Sequence, residues 1–179
     1  MEALLIIDMQ NACVGEVPRF DLSNVLNVIN RLSTKFRERG SLIIHIQHEE
    51  ESGSFSKNSE GWKIYSDIHV VDSDHFISKS YCDAFISTNL KALLDENHVT
   101  RLTVTGCATD FCVDSTIKGA ISHGFDLVVP SDGHTTADRP HVGAQELILH
   151  FNWNWANLII GNQTIQVVPS CDVLNLTNA

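Results

Sequence analysis

The sequence predicts an α/β fold, a three-layer αβα sandwich with a mainly parallel sheet of about six strands. Short apolar runs recur along the chain, and segments with the spacing of amphipathic helices separate them. This alternation is typical of βαβ units, whose helices cover both faces of a parallel sheet. The 179 residues contain no linker, internal repeat or low-complexity stretch, so we expect one domain over residues 1–179.

The first part of the chain supplies three strands and two helices. Residues 3–7 form a continuous apolar run, as expected of a strand buried on both faces. Apolar side chains at helical spacing follow over residues 25–36, and residues 41–46 give the second strand. A shorter strand is expected at residues 75–78, and leucines at residues 90–94 mark the second helix.

The second part of the chain repeats this pattern. The expected order is strand, helix, strand, helix, at residues 101–106, 117–121, 125–129 and 144–151. The tail adds one or two short strands at residues 158–160 and 165–168. Before the third strand, residues 49–74 are polar and too long for an ordinary connection, which makes them a candidate functional loop.

The composition excludes several classes of partner and site. With 22 acidic and 12 basic residues the net charge is −10, so we expect no nucleic acid and no membrane as a partner. No apolar run approaches the about 20 residues of a membrane span, and the N-terminus does not resemble a signal peptide. The five cysteines are odd in number and lack CxxC spacing, which argues against a disulfide framework or a zinc site. The predicted location is the reducing cytoplasm.

Reactive side chains converge at one edge of the predicted sheet. In open parallel sheets, sites form beyond the carboxyl ends of the strands. The first strand ends at Asp8, the second at Gln47 and His48, and the third at Lys79. The fourth strand leads into the segment that contains Cys112. A carboxylate, an ammonium and a thiol are therefore expected close together.

Cys112 is expected in the first turn of the helix that follows the fourth strand. The unpaired N–H groups and the partial positive charge of a helix N-terminus stabilise a thiolate, so we expect the pKa of this thiol to fall. The same N–H groups can receive the oxyanion of a tetrahedral intermediate. A small buried core cysteine fits this position equally well, and position alone leaves both interpretations open.

Asp8 and Lys79 also allow two interpretations. A carboxylate at the end of a buried strand is costly unless it has a partner or a task, and Lys79 can be that partner. The pair taken alone favours a structural ion pair. A neighbouring thiol changes this balance, because Asp8 could accept the thiol proton while Lys79 stabilises the thiolate.

Three segments carry a resemblance to a known family. Residues 5–10 read LIIDMQ, residues 79–85 read KSYCDAF, and residues 105–113 read TGCATDFCV. With these motifs the chain resembles the isochorismatase-like cysteine hydrolases over nearly its full length. The match at residues 105–113 is the most specific, and residues 131–132 and 144–152 fit weaker family segments.

The resemblance implies a mechanism and a set of site residues. It implies a catalytic triad of Asp8, Lys79 and Cys112, with a covalent acyl-enzyme that water hydrolyses. It also implies a cis peptide bond between Cys107 and Ala108, and an oxyanion hole formed by the N–H groups of Ala108 and Cys112. A homodimer or homotetramer is the assembly that the resemblance suggests.

Departures from the family pattern narrow the expected chemistry. Family members that hydrolyse nicotinamide carry an Asp-x-His…His metal trio after the second strand. Here that stretch contains His45 and His48 without this spacing, and the next histidine is His69. We therefore expect no metal and no other cofactor. Members that cleave the ether of isochorismate lack the cysteine nucleophile, so the presence of Cys112 disfavours that reaction.

Further residues are candidates for substrate binding. Trp62 and Phe85 are expected to wall the pocket, and Phe20 is a weaker candidate of the same kind. Core or loop packing explains each of these aromatic residues equally well. Gln47 and His48 are expected either to orient the substrate or to satisfy backbone groups at the strand end.

The predicted activity is hydrolysis of a carbon–nitrogen bond in a small amide, lactam or ureido compound, with Cys112 as the nucleophile. An isochorismatase-type ether hydrolase and a nicotinamidase are the alternatives within the family. Two alternatives of another class stay open. One is a thiol redox protein that cycles through a Cys107–Cys112 disulfide, and the other is a binding protein without catalysis.

Overall fold

The computed structural model describes residues 1–176, and within them seven parallel strands form one sheet. The strands are β1 (Glu2–Ile7), β2 (Leu42–His48), β3 (His75–Lys79), β4 (Arg101–Cys107), β5 (Asp126–Pro130), β6 (His134–Thr135) and β7 (Ile165–Val168). The helices are α1 (Leu22–Glu38), α2 (Leu90–Glu96), α3 (Asp114–Ser122), α4 (Ala144–Ala156) and α5 (Ser170–Leu176). The strand order is β3-β2-β1-β4-β5-β7, with β6 paired to β4. The predicted α/β class with a mainly parallel sheet is confirmed.

Strand β1 lies inside the sheet, between β2 and β4. Its apolar side chains alternate between the two faces, as the two-residue period of a strand requires. Leu5 and Ile7 belong to the hydrophobic cluster that includes residues of α2, α3 and α4. Leu4 and Ile6 belong to the cluster that includes residues of α1 and α5. Burial on both faces explains why this strand is apolar at every position from Ala3 on.

The register of the sheet brings three strand ends to one edge. Ile7 of β1 pairs with Ile46 of β2 on one side and with Gly106 of β4 on the other. Lys79, the last residue of β3, pairs with His48 of β2. The residues that follow β1 and β4 therefore lie at the same edge of the sheet as the end of β3, although β2 separates β3 from β1. This is the geometry expected of a ligand site in this class of sheet.

The long segment between β2 and β3 folds back over this edge. Its backbone bonds to the residues after β1: the N–H of Asn11 donates to the carbonyl of Lys63 at 3.0 Å, and that of Ala12 to Gly61 at 2.9 Å. A Cβ atom at Gly61 would lie 2.3 Å from the carbonyl oxygen of Ser54, so this close approach requires glycine. The segment is thus anchored where the candidate site lies.

The predicted tail strand at residues 158–160 is wrong, since these residues form no strand. Strand β5 is already paired with β4 on one side and with β7 on the other, so no edge of β5 remains for them. The two-residue strand β6 was not anticipated, because two residues are too short to show a hydrophobic period. Among residues 1–176, no helix combines the length and apolar character needed to span a membrane.

Candidate active site

The structure brings Asp8, Lys79 and Cys112 into direct contact. The Nζ atom of Lys79 donates a hydrogen bond to Oδ2 of Asp8 at 2.7 Å and lies 3.3 Å from Sγ of Cys112. The side chains of Asp8 and Lys79 are almost completely buried, and Cys112 is partly exposed. The convergence expected from the strand ends is therefore present as a compact carboxylate, ammonium and thiol group.

Asp8 is held in an unusual backbone conformation. Its φ angle is 49°, in the left-handed region that residues with a Cβ atom seldom adopt. Its N–H donates to the carbonyl of Ile46 at 2.9 Å, which ties the turn to β2. This turn takes the carboxylate out of the direction of the strand and onto the edge of the sheet, where Lys79 lies.

Gly106 permits the close approach of β4 to β1 at the site. Its φ angle is +118°, and a Cβ atom there would lie 2.1 Å from the carbonyl oxygen of Ile7. A side chain at this position would push the two strands apart. The absence of a side chain thus brings Asp8 close to the segment that leads from Cys107 to Cys112.

The thiol lies in a different local structure from the one predicted. Cys112 belongs to a π-helical turn, Thr109–Val113, and the α-helix α3 begins only at Asp114. The N–H of Val113 donates to the carbonyl of Ala108 at 3.2 Å, which closes this wider turn. Such turns are rare and recur at functional sites. The peptide bond between Cys107 and Ala108, just before the turn, is cis.

The electrostatics of the site correct the expected lowering of the Cys112 pKa. Burial raises the pKa of this thiol well above its usual value, and the negative charge of Asp8 raises it further. Lys79 acts in the opposite direction without reversing the shift. Burial alone would lower the pKa of Lys79, but the charge of Asp8 and its hydrogen bond raise it, so this ammonium stays protonated. The resting site therefore holds a thiol and an ammonium.

One oxygen of Asp8 has no partner. Oδ2 accepts the hydrogen bond from Lys79, whereas Oδ1 is buried and has no hydrogen-bond partner within residues 1–176. A buried carboxylate oxygen in this state is a strong acceptor with unused capacity. This oxygen therefore has room to accept a proton or a further hydrogen bond.

A pocket of about 290 Å³ opens onto these groups. This volume lies at the lower end of the range for small-molecule sites. The lining residues are Asp8, Cys13, Arg19, His48, Glu50, Phe55, Cys82, Ala108, Phe111, Cys112 and Arg139. Of the five residues expected to bind substrate, the lining includes only His48.

Phe85 and Phe20 do not line this pocket, which corrects both predictions. Phe85 is 8% exposed and packs in the core, with its ring 5.9 Å from that of Phe125 and 4.7 Å from that of His123. Phe20 lines a separate cavity that also contains His134. Its N–H donates a hydrogen bond to the carbonyl of Thr136 at 2.9 Å, which holds it there. Sequence could not place either ring, because both positions depend on how distant segments pack.

Trp62 and Gln47, both predicted to bind substrate, hold the long loop in place and are not among the residues that line the pocket. The carbonyl of Trp62 accepts a hydrogen bond from Nε2 of Gln47 at 3.0 Å and another from Nε2 of Gln10 at 2.8 Å. The interpretation that the strand-end glutamine satisfies backbone groups therefore applies to Gln47. His48 does lie on the pocket wall, where its ring pairs with Glu50 at 3.1 Å.

Sequence reasoning missed most of the pocket wall. Four of the lining residues lie in separate segments outside the strands whose ends predicted the site: Arg19, Phe55, Phe111 and Arg139. In the sequence, only the residue type, an aromatic or a cationic side chain in a loop or turn, could have indicated that they line a pocket. Arg139 pairs with both carboxylate oxygens of Asp110, and its guanidinium lies 5.0 Å from the ring centroid of Phe111.

The other thiols occupy different environments. All five cysteines are free. Cys107 is fully buried in the hydrophobic cluster on the opposite face of the sheet from the one that Cys112 packs against. It lies beside Cys13, whose pKa is raised chiefly by a hydrogen bond with the Cys107 thiol. Within residues 1–176, no group of three or more His, Cys, Asp or Glu side chains is arranged to hold a metal ion.

Comparison with known proteins places this geometry in a family. The family model described as Isochorismatase domain matches residues 2–154. A crystal structure of an isochorismatase family protein superposes with a TM-score of 0.84 and 30% identity, and the alignment covers 93% of this chain and 97% of that one.

Two curated relatives are hydrolases. A streptothricin hydrolase of Streptomyces noursei is 33% identical over 144 residues, covering 78% of this chain and 51% of the relative. An N-carbamoylsarcosine amidase of Arthrobacter sp is 37% identical over 72 residues, covering 40% of this chain and 26% of the relative. This chain thus spans about half the length of the streptothricin hydrolase. Because the family model matches most of its residues, the chain belongs to the isochorismatase-like hydrolase family.

Proposed function

We propose that this protein is a cysteine hydrolase that cleaves a carbon–nitrogen bond of a small amide, lactam or ureido compound. The observation that carries the proposal is the contact of Lys79 with both Asp8 and Cys112, at 2.7 and 3.3 Å, at the wall of a small pocket. A thiol beside a buried ammonium that also holds a buried carboxylate has the two groups, a cation and a base, that activate a nucleophile.

In the first half-reaction the thiol becomes the nucleophile. The free Oδ1 of Asp8 accepts the Sγ proton of Cys112 while sulfur attacks the substrate carbonyl carbon. The N–H groups of Ala108 and Cys112 then stabilise the oxyanion. When the intermediate collapses, the C–N bond breaks, Asp8 returns its proton to the leaving nitrogen, and a thioester on Cys112 remains.

The second half-reaction regenerates the enzyme. Asp8 removes a proton from water, and the hydroxide attacks the thioester carbonyl carbon. The C–S bond breaks, the acid product leaves, and sulfur recovers the proton from Asp8. Lys79 stays protonated throughout because its pKa is raised, so it stabilises each transient thiolate without exchanging its own proton.

The pKa of the resting thiol supports proton transfer at the moment of attack. Because burial and Asp8 raise the pKa of Cys112, a stored thiolate is disfavoured in the empty site. A base in contact with the thiol removes this barrier when the substrate carbonyl is in place. The names of two relatives, a streptothricin hydrolase and an N-carbamoylsarcosine amidase, agree with an amide-type substrate.

The proposal is tested by a substrate screen with a matched pair of cysteine variants. Ammonia release from primary amides and ureido acids, and ring opening of lactams followed by chromatography, would identify a substrate. Cys112→Ala should abolish turnover, whereas Cys171→Ala, at an exposed thiol outside the pocket, should leave it unchanged. Full activity of Cys112→Ala would refute the mechanism.

The covalent intermediate has its own test. Rapid acid quenching of wild-type enzyme with substrate should give a protein whose mass has increased by that of the acyl group, mapped to the peptide containing Cys112. Asp8→Asn should show neither this adduct nor product. Turnover without any adduct under single-turnover conditions would favour direct attack by water.

A further inference from the structure

Of the two arginines that line the pocket, one forms no ion pair within residues 1–176. Asp8 pairs with Lys79, Glu50 with His48, and Arg139 with Asp110. Arg19 lines the same pocket and forms no ion pair in the described part of the chain. The pocket that contains the thiol therefore carries one guanidinium without an ion-pair partner in the described residues.

Arg19 is positioned by the backbone of the pocket wall. Its Nε atom donates a hydrogen bond to the carbonyl of Cys13 at 2.7 Å, and Cys13 lines the same pocket. The two terminal nitrogens, Nη1 and Nη2, have no protein partner among residues 1–176. A guanidinium presents paired donors whose geometry matches the two oxygens of a carboxylate. Since one nitrogen is fixed and two are unused, the group is arranged to receive an anion.

Long-range attraction cannot account for an anionic ligand here. The chain carries a net charge of −10, so its overall field repels anions. The second pocket arginine is also neutralised, because Arg139 contacts both oxygens of Asp110 at 2.8 and 3.0 Å. A ligand anion would therefore depend on direct contact with Arg19.

We propose that Arg19 is a specificity residue that binds a carboxylate of the substrate. This inference rests on the proposed amidase function and narrows it to small amides or ureido compounds that carry a carboxylate. The pocket of about 290 Å³ has room for a few carbon atoms between the reacting carbonyl and that carboxylate. Arg19 contributes to binding and takes no part in the bond changes.

The first test needs no turnover. Iodoacetate and iodoacetamide differ chiefly in charge, and both alkylate thiols, so the ratio of their rates at Cys112 measures the preference for a carboxylate. Peptide mass mapping gives this ratio separately for Cys112 and for the exposed Cys171 as an internal reference. The thiolate fraction cancels in the ratio. We expect Arg19→Gln to lower the ratio at Cys112 roughly fivefold and to leave that at Cys171 unchanged.

Two further variants control for charge and folding. Arg19→Lys retains the charge and should retain most of the preference. Lys35→Gln removes one positive charge from an exposed pair on α1 and should change nothing at Cys112. If Arg19→Gln does not fold, protection of wild-type Cys112 against iodoacetamide by succinate but not by butanamide gives the same information. An unchanged ratio in folded Arg19→Gln, or equal protection by both compounds, overturns the proposal.

The second test uses a matched pair of amides. Wild-type enzyme should hydrolyse succinamate with a larger kcat/KM than butanamide, and Arg19→Gln should reduce that advantage by at least about tenfold, mainly through KM. Equal kcat/KM values in the wild type would contradict the role of Arg19. If neither compound is hydrolysed, the amidase proposal loses support, and the alkylation ratio still decides whether Arg19 binds a carboxylate.

Discussion

The buried carboxylates of Asp74 and Asp8 both have a cation beside them, but they differ in whether both of their oxygens have hydrogen-bond partners. Asp74 accepts hydrogen bonds from Nε of Arg37 at 2.9 Å on one oxygen and from Nη2 of Arg37 at 2.6 Å on the other. Its Oδ2 atom also contacts the ring of His45 at 3.0 Å and accepts a hydrogen bond from the N–H of Val71 at 3.2 Å. Asp8 has a partner for one oxygen only, and its backbone lies in the left-handed region.

The comparison separates a carboxylate with a structural set of hydrogen bonds from the one that we propose to be the catalytic base. A carboxylate with both oxygens hydrogen-bonded holds its neighbours in place, and protonating it would break some of those bonds. A carboxylate with one buried free oxygen has a place for a proton. Burial and a neighbouring cation are common to both, so neither property alone identifies a catalytic acid or base.

The largest expected effect concerns Asp8. Asp8→Asn keeps the shape of the side chain and removes the base, so kcat for the amide substrate should fall by about 10²–10⁴-fold. The measurement is steady-state kinetics on enzyme whose folding is verified by circular dichroism. A folded Asp8→Asn variant with near wild-type kcat would show that the free oxygen is not the base.

Asp74→Asn should lower the stability of the protein and leave its activity unchanged. It leaves the partly buried Arg37 without its counter-charge, so the free energy of unfolding should fall by about 3 kcal/mol. Urea denaturation measures this change, and kcat/KM of the folded fraction should be unchanged. A loss of kcat/KM comparable to that of Asp8→Asn would mean that the two carboxylates do not differ in the way the hydrogen bonds indicate.

The buried side chain of His134 should make the folded protein less stable in acid. Burial lowers the pKa of His134 from 6.5 to about 4, although Asn152 and Asp132 act in the opposite direction. Because the unfolded chain binds this proton first, the free energy of unfolding is highest above pH 6.5 and decreases as the pH falls towards 4. The expected loss is about 3 kcal/mol.

Urea denaturation between pH 7 and pH 4.5, compared for the wild type and His134→Gln, measures this effect. The variant should lose part of the pH dependence, whereas His141→Gln, at an exposed position, should retain all of it. Identical pH dependence in the wild type and His134→Gln would contradict the lowered pKa. His45 has a lowered pKa as well, chiefly because it is buried, so some acid sensitivity should remain.

The smallest effect is expected for an exposed pair. Lys35 and Glu38 are 2.7 Å apart on α1, with side chains 47% and 55% exposed. Water and salt screen this contact, so Lys35→Gln should change the free energy of unfolding by no more than about 0.5 kcal/mol. If the free energy of unfolding fell by nearly as much as in Asp74→Asn, burial would not determine how much an ion pair contributes to stability.

Most of the fold and the reactive group could be predicted because they depend on local patterns. The apolar runs fixed the strands, and in a parallel sheet the residues after the strands must meet at one edge, which located Asp8, Lys79 and the Cys112 segment. The chemistry of the group was harder to predict. Whether the thiol pKa rises or falls depends on burial and on the distance to Asp8, and neither can be obtained from spacing.

The pocket wall could not be predicted, because loops far apart in the chain build it. Phe85 and Phe20 had the residue type expected of a wall, yet one packs in the core and the other lines a separate cavity. The sequence does not single out Arg19, because an isolated arginine in a loop carries no periodic signal. Its place on the pocket wall and its lack of an ion-pair partner depend on how distant segments pack.

Gly106 sets a condition for moving this chemistry to another protein. A host sheet could be given an aspartate, a lysine and a cysteine at matching strand ends and would still keep the acid too far from the nucleophile segment. The strand beside the acid must also have a backbone position that no L-amino acid with a Cβ atom can fill, since a Cβ at Gly106 would overlap the Ile7 carbonyl. In a library that randomises residue 106, we therefore expect selection for activity to return only the parent glycine.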